Sequence, residues 1–278
     1  MDINSFPMWI VWCLVIVGGV ICFTVFAFLI SRRYIHVDIL KKHHELAGFI
    51  IGAFGVLYSV ILGFTIVSSQ DRYGQIVSKI DQEAYLAADL LRSTFVFPEK
   101  DRSEMHKGIA GYIKSVIEDE WPLMYQKKES PLTLLKLEKM WNVFYQFIPN
   151  TEREKLWLAK TLDILLDFNN ARLKRIYSSW DSLGMLSWCA LIIGGAILII
   201  LMFFVGTENI IANLILMILF TGYFSFMIFV VYSLDNPFRD PDKIKPNAYK
   251  IIYNYYEKAR GNLISPEDSN GVPYPDVE

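Results

Sequence analysis

The sequence predicts an all-α integral membrane protein. Four transmembrane helices carry a helical extramembrane block inserted between the second and third. Three observations lead there. Hydrophobic residues make up 53% of the 278-residue chain, with a mean hydropathy of +0.31, against roughly 45–50% in soluble domains. The excess lies in four runs free of Asp, Glu, Lys and Arg, each long enough for a hydrocarbon core that takes about 20 residues to cross. Between the second and third runs the pattern changes to a charged sequence with helical periodicity.

The first run covers residues 8–30. Its flank, "MDINSFP", lacks the positive region of a cleaved leader, so a retained helix is expected. After the loop "SRRYIHVDILKKHHE" comes the second run, 47–69, which passes without a turn signal through "LGFTIVSSQDRYGQ" into a helix over 71–94. Its apolar positions include Tyr73, Ile76, Ile80, Leu86 and Leu90. "FPEKD" breaks that helix. Asp101 or Ser103 is expected to cap the next one, whose face is Met105, Ile109, Tyr112, Ile113 and Val116, and Pro122 to end it. A helix over 131–147 starts on a proline, which tolerates the missing donor at a first helical position. Another, 152–177, has Asn150 or Thr151 as cap and acids in its first turn. It is expected to run on into the third span, 182–205, so that two long helices cross the membrane boundary unbroken. "GTEN" makes a tight hairpin to the fourth span, 210–231. In the tail, Pro237, Pro241, Pro246 and Pro273 leave room for a helix only over 247–259. The chain thus divides into 1–69, 70–181, 182–233 and 234–278.

Net charge is −2, so the overall balance says nothing about nucleic acid, and no nucleic-acid partner is expected. Cys13, Cys22 and Cys189 all fall in apolar runs and imply no disulfide framework. Lys and Arg near the span ends are more numerous on the side of the block (Arg72, Lys79, Arg172, Lys174 and Arg175 among them) than opposite (Arg32, Arg33, Lys41, Lys42). That excess favours a cytoplasmic block, although Arg32 and Arg33 beside the first span argue the reverse.

No phosphate loop, nucleophile elbow or zinc-protease motif occurs, and nothing points to an enzyme or a cofactor. His43, His44 and Glu45, with His36, read as an interfacial polar loop rather than a metal site, and the acids of "IEDEW" as a solvated face. The second span says more. At 100° per residue Gly48, Gly52, Gly55, Ser59 and Gly63 form one stripe, and small residues let membrane helices approach closely. The adjacent face carries Val56, Val60 and Phe64. In one reading the stripe packs within the chain and the three apolar residues face lipid. In the other, several copies pack through the stripe and the three residues form stacked apolar rings that gate by dewetting. Asp71 and Arg72 follow Phe64 by two turns as candidate vestibule charges. Rings of Asp suit cations and rings of Arg suit anions.

"SVILGF", followed after seven residues by Arg72 and Tyr73, resembles the second-helix pattern of the bestrophins, and "SLDNPFRD" their Asn-Pro-Phe-Gly motif. "HHELAGFIIGAFGVLYSVILGF" together with "LDNPF" looks like a bacterial bestrophin-like family of four-span proteins. The resemblance implies a homo-oligomeric, pentameric channel in a bacterial inner membrane that conducts small anions such as chloride, with lipid, inorganic ions and its own copies as partners. It places the neck at Val56, Val60 and Phe64. Arg239 stands where the family has glycine, and the acidic run shrinks to Asp240 and Asp242. No calcium clasp is therefore expected, and Asn236, Pro237 and Phe238 read as a helix stop. The alternative is a non-conducting scaffold or sensor whose helical block binds a partner.

Overall fold

The computed structural model describes residues 8–34, 44–124, 126–204, 209–239 and 244–264. His43, Asp240 and Asp242 lie outside them, as do the side chains of His44 and Glu45. The described residues form helices joined by short turns and links, with no strand among them, in two compact units: residues 1–75 with 181–243, and residues 76–180 with 244–278.

The first unit holds α1 (Met8–Tyr34), the N-terminal part of α2 (His44–Ser93), α7 (Met185–Phe203) and α8 (Ile210–Asp235). Among the described residues four helices are long and apolar enough to cross a membrane. The chain is an integral membrane protein. Helix α1 packs along α8 and touches α7, where the Phe28 and Phe203 rings lie 5.9 Å apart. The core joins Tyr58 and Leu62 of α2 to Leu191 and Leu198 of α7 and Val231 of α8. Tyr58 donates its hydroxyl proton to the Leu191 carbonyl at 3.2 Å, which satisfies a buried polar group in apolar surroundings. Helix α2 is unbroken over 50 residues, as the missing turn signal predicts.

The second unit holds the rest of α2, α3 (Glu99–Ser115), α4 (Trp121–Met124), α5 (Pro131–Gln146), α6 (Glu152–Trp180) and α9 (Asn247–Ile264). The apolar face of α3 is buried as its periodicity implies, and Gly108 brings α3 close to α5. A Cβ there would sit 3.4 Å from the Met140 Cα. Ser130 caps α5 by accepting from the Thr133 N–H at 3.2 Å. At the start of α6, Thr151 accepts from Glu154 N–H at 3.1 Å and Glu154 accepts from Asn150 N–H at 2.7 Å, a reciprocal cap.

Four expectations need correction. Helix α3 begins at Glu99 behind Pro98 instead of at Asp101 or Ser103. Pro122 does not end the helix: a π-helical turn over Val116–Glu120 leads directly into α4. Proline removes one donor and crowds the carbonyl four residues back, and the wider turn before it relieves both. Helix α6 does not run on into the third span. It stops at Trp180, whose carbonyl accepts from Lys127 Nζ at 3.2 Å, and the chain is extended through Gly184 before α7 starts. Among the described residues only α2 therefore continues unbroken from a span into the block. Helix α9 reaches Ile264, five residues past its expected end.

One feature of the block makes its stability depend on pH. His106 Nε2 lies 2.7 Å from Thr94 Oγ1 and donates to the Leu91 carbonyl at 3.2 Å. The ring packs edge-on to Phe95 and Tyr256. Burial lowers its pKa, the Leu91 hydrogen bond opposes that, and nearby Arg102 adds to it. The neutral ring is thus favoured in the fold, while the unfolded chain takes up a proton near pH 6.5. The stabilisation is complete above that pH and declines as pH falls toward the folded value. Denaturant unfolding of the full chain in detergent should show a loss between about pH 6.5 and 5. His106→Gln should flatten that segment, and parallel profiles for the two proteins would show that another group is responsible.

Candidate functional site

Helix α2 presents two faces with different fates. Tyr58 and Leu62 are buried against α7 and α8 in the same chain, with Ile66 packed beside them. The small stripe and the apolar row are not. A Cβ added at Gly48, Gly52, Gly55 or Gly63 would meet no heavy atom within 4 Å. Ser59 is exposed, and its hydroxyl turns back to the Val56 carbonyl at 2.8 Å. Val56, Val60 and Phe64 are 64%, 51% and 74% exposed. Of the two readings open in the sequence, packing of the stripe within the chain does not occur among the described residues.

Asp71 and Arg72, adjacent in sequence, also part company. Asp71 is exposed. Arg72 is part-buried and its Nη2 is ion-paired to Asp235 Oδ1, while the same nitrogen reaches the Asp235 carbonyl at 3.3 Å. Asp235 is itself a buried junction. Its Oδ1 also accepts from the Leu183 N–H at 2.6 Å, and its Oδ2 from Trp188 Nε1 at 3.1 Å. A carboxylate at a helix C-terminus opposes the helix dipole, so the arginine offsets both the side chain and the free carbonyls. The Leu183 bond fixes the extended link ahead of α7.

Helix α8 ends at Asp235, and Asn236 Nδ2 donates to the Tyr232 carbonyl at 3.0 Å. The turn closes with Arg239 N–H on the Asn236 carbonyl at 3.1 Å, and Phe238 is buried. Arg239 lies over the Tyr232 ring, 5.8 Å from its centre. Among the described residues no three metal-ligating side chains come together.

The block contains a charged centre that the sequence reading missed. Arg175 donates from Nε to Glu83 Oε2 at 2.6 Å and from Nη2 to Glu120 Oε2 at 2.7 Å. Arg172 reaches Glu120 Oε1 at 2.6 Å, and the Tyr112 hydroxyl reaches Glu83 Oε1 at 2.7 Å. All five side chains are buried. Burial, reinforced by Glu83, pushes the Tyr112 phenol well above its ordinary range, so it remains a donor. Burial alone would lower the Arg175 pKa, but Glu83, Tyr249, Glu120 and Tyr112 outweigh it and hold it well above the usual value. Glu120 belongs to "IEDEW", which reads as solvated. Glu118 is, and Glu120 is not. The signal was phase: Glu120 follows Val116 by four residues, and Glu83 lies between Ile80 and Ala87 on the buried side of α2.

Comparison with known proteins agrees with this architecture. The bestrophin-like domain family matches over residues 18–249. None of the curated proteins matches. Among solved structures, a crystal structure of a point variant of a bacterial bestrophin homologue from Klebsiella pneumoniae superimposes with a TM-score of 0.66 at 12% identity. The match covers 88% of this chain and 99% of that one, and at such identity it bears on the fold alone. With the family domain covering most of the sequence, from α1 into α9, the chain belongs to the bestrophin-like family.

Proposed function

We propose that the protein is a homo-oligomeric channel for small inorganic ions, with copies of α2 arranged around a central axis. The observation that carries this is the unpartnered face of α2: small residues with open space beside them, flanked by exposed Val56, Val60 and Phe64. Small residues suit close approach of helices in lipid, and apolar rings suit a constriction that conducts only when it is wetted. Family membership supports the same reading. Exposed apolar side chains of the block also favour self-association. Outside the spans, Leu132 and Leu135 of α5, Leu156 and Leu166 of α6 and Ile251 and Tyr255 of α9 are all exposed. Apolar side chains of this number on a charged block are best covered by neighbouring copies.

A pentamer is the assembly that the family resemblance favours. The block lies on the cytoplasmic side of a bacterial inner membrane, in keeping with its excess of Lys and Arg. Protease added to sealed spheroplasts should then leave the block uncut. The decisive experiment is a projection image of the purified particle together with bilayer recordings. A ring of five with a central hole, and current above that of protein-free bilayers, is the expected result. A monomer or dimer would overturn the reading in favour of a scaffold or sensor whose block binds a partner.

A further inference from the structure

Resting on that channel reading, the geometry points to Asp71 as the residue that sets ion selectivity, and to small monovalent cations as the preferred ions. Asp71 and Arg72 offer opposite signs at the same level of the helix, and only their direction separates them. At 100° per residue Asp71 falls about 20° from Val60, whereas Arg72 falls about 120° away. The neck row therefore continues through exposed Asp71. Arg72 turns toward α8, where Asp235 takes up its charge.

That pairing is built in. Asp235 is buried, accepts from Arg72, Leu183 N–H and Trp188 Nε1, and closes the end of α8. To face the axis Arg72 would leave a buried carboxylate behind, which is strongly unfavourable. Asp71 has no such tie: among the described residues no hydrogen bond or ion pair engages its carboxylate. Farther along α2, exposed Asp89 and Arg92 pair with each other at 3.4 Å and cancel. The first uncompensated charge after the apolar row is thus negative in every copy. A ring of carboxylates concentrates cations and excludes anions at a pore mouth. Anion conduction, which the resemblance implied, would instead need the arginine on the axis.

The test is a reversal potential measured with the full-length protein in planar bilayers under a potassium chloride gradient. Wild-type current should reverse toward the potassium equilibrium potential. One carboxylate about 5 Å from an ion in water changes its local concentration by roughly fourfold. Asp71→Asn should accordingly lower the potassium-to-chloride permeability ratio by at least about fourfold. Asp71→Glu should keep it, and raising the salt concentration should weaken it by screening. Reversal toward chloride, or an Asp71→Asn channel with unchanged selectivity, overturns the assignment while leaving the channel intact. Absence of any current from an intact oligomer overturns the channel reading itself.

Discussion

Arg175→Met is expected to destabilise the helical block by about 3–5 kcal/mol, the range for removing one partner of a buried ion pair. The guanidinium is fully buried and bridges two carboxylates from different segments, Glu83 on α2 and Glu120 in the π-helical turn. Without it Glu83 is left with the uncharged Tyr112 hydroxyl and its neighbour Tyr249, and Glu120 with Arg172. The loss would be a large share of the 5–15 kcal/mol that holds a typical domain together. Thermal unfolding of the full chain in detergent, followed by helical circular dichroism, reads it directly. The double variant Glu83→Leu with Arg175→Met should recover much of the loss, because removing both charges removes the uncompensated one. If the single variant unfolds like the wild type, the centre does not hold the block.

Phe64→Ala is expected to raise unitary conductance severalfold, with Val60→Ala smaller in the same direction. Both side chains are exposed and pack against nothing that their truncation would disturb within the chain. Their removal should leave stability of the single chain nearly unchanged while widening the proposed apolar passage, and a wider passage wets more readily. Single-channel recordings of each variant beside the wild type make the comparison. Phe64→Ala and Val60→Ala channels with wild-type conductance would place the constriction elsewhere. Truncation of Tyr58 gives a useful contrast: this ring sits in the packed core with its hydroxyl bonded to Leu191, so its loss should cost stability instead.

The readable parts of the sequence were those set by local chemistry. Charge-free runs placed the spans, because hydrocarbon excludes charge whatever the neighbours are. Absence of a turn signal between Phe64 and Gln75 foretold an unbroken α2, and Pro131 marked the start of α5. Phase alone could also have marked Glu83 and Glu120 as buried, since each sits on an apolar face. It could not have named their partners, which lie far along the chain on α6.

By itself, then, the sequence determined the helical class, the four spans, and the row of Val56, Val60 and Phe64 beside a stripe of small residues. These follow from composition and a 3.6-residue period, which every segment carries within itself. Tertiary structure decided which face of α2 is occupied, where α6 stops, and which of two adjacent charges remains free. Asp235 settles the last point, 163 residues from Arg72. Charge pairing depends on what folding brings within a few ångströms, and a burial cost that leaves no carboxylate unpaired then selects the partner.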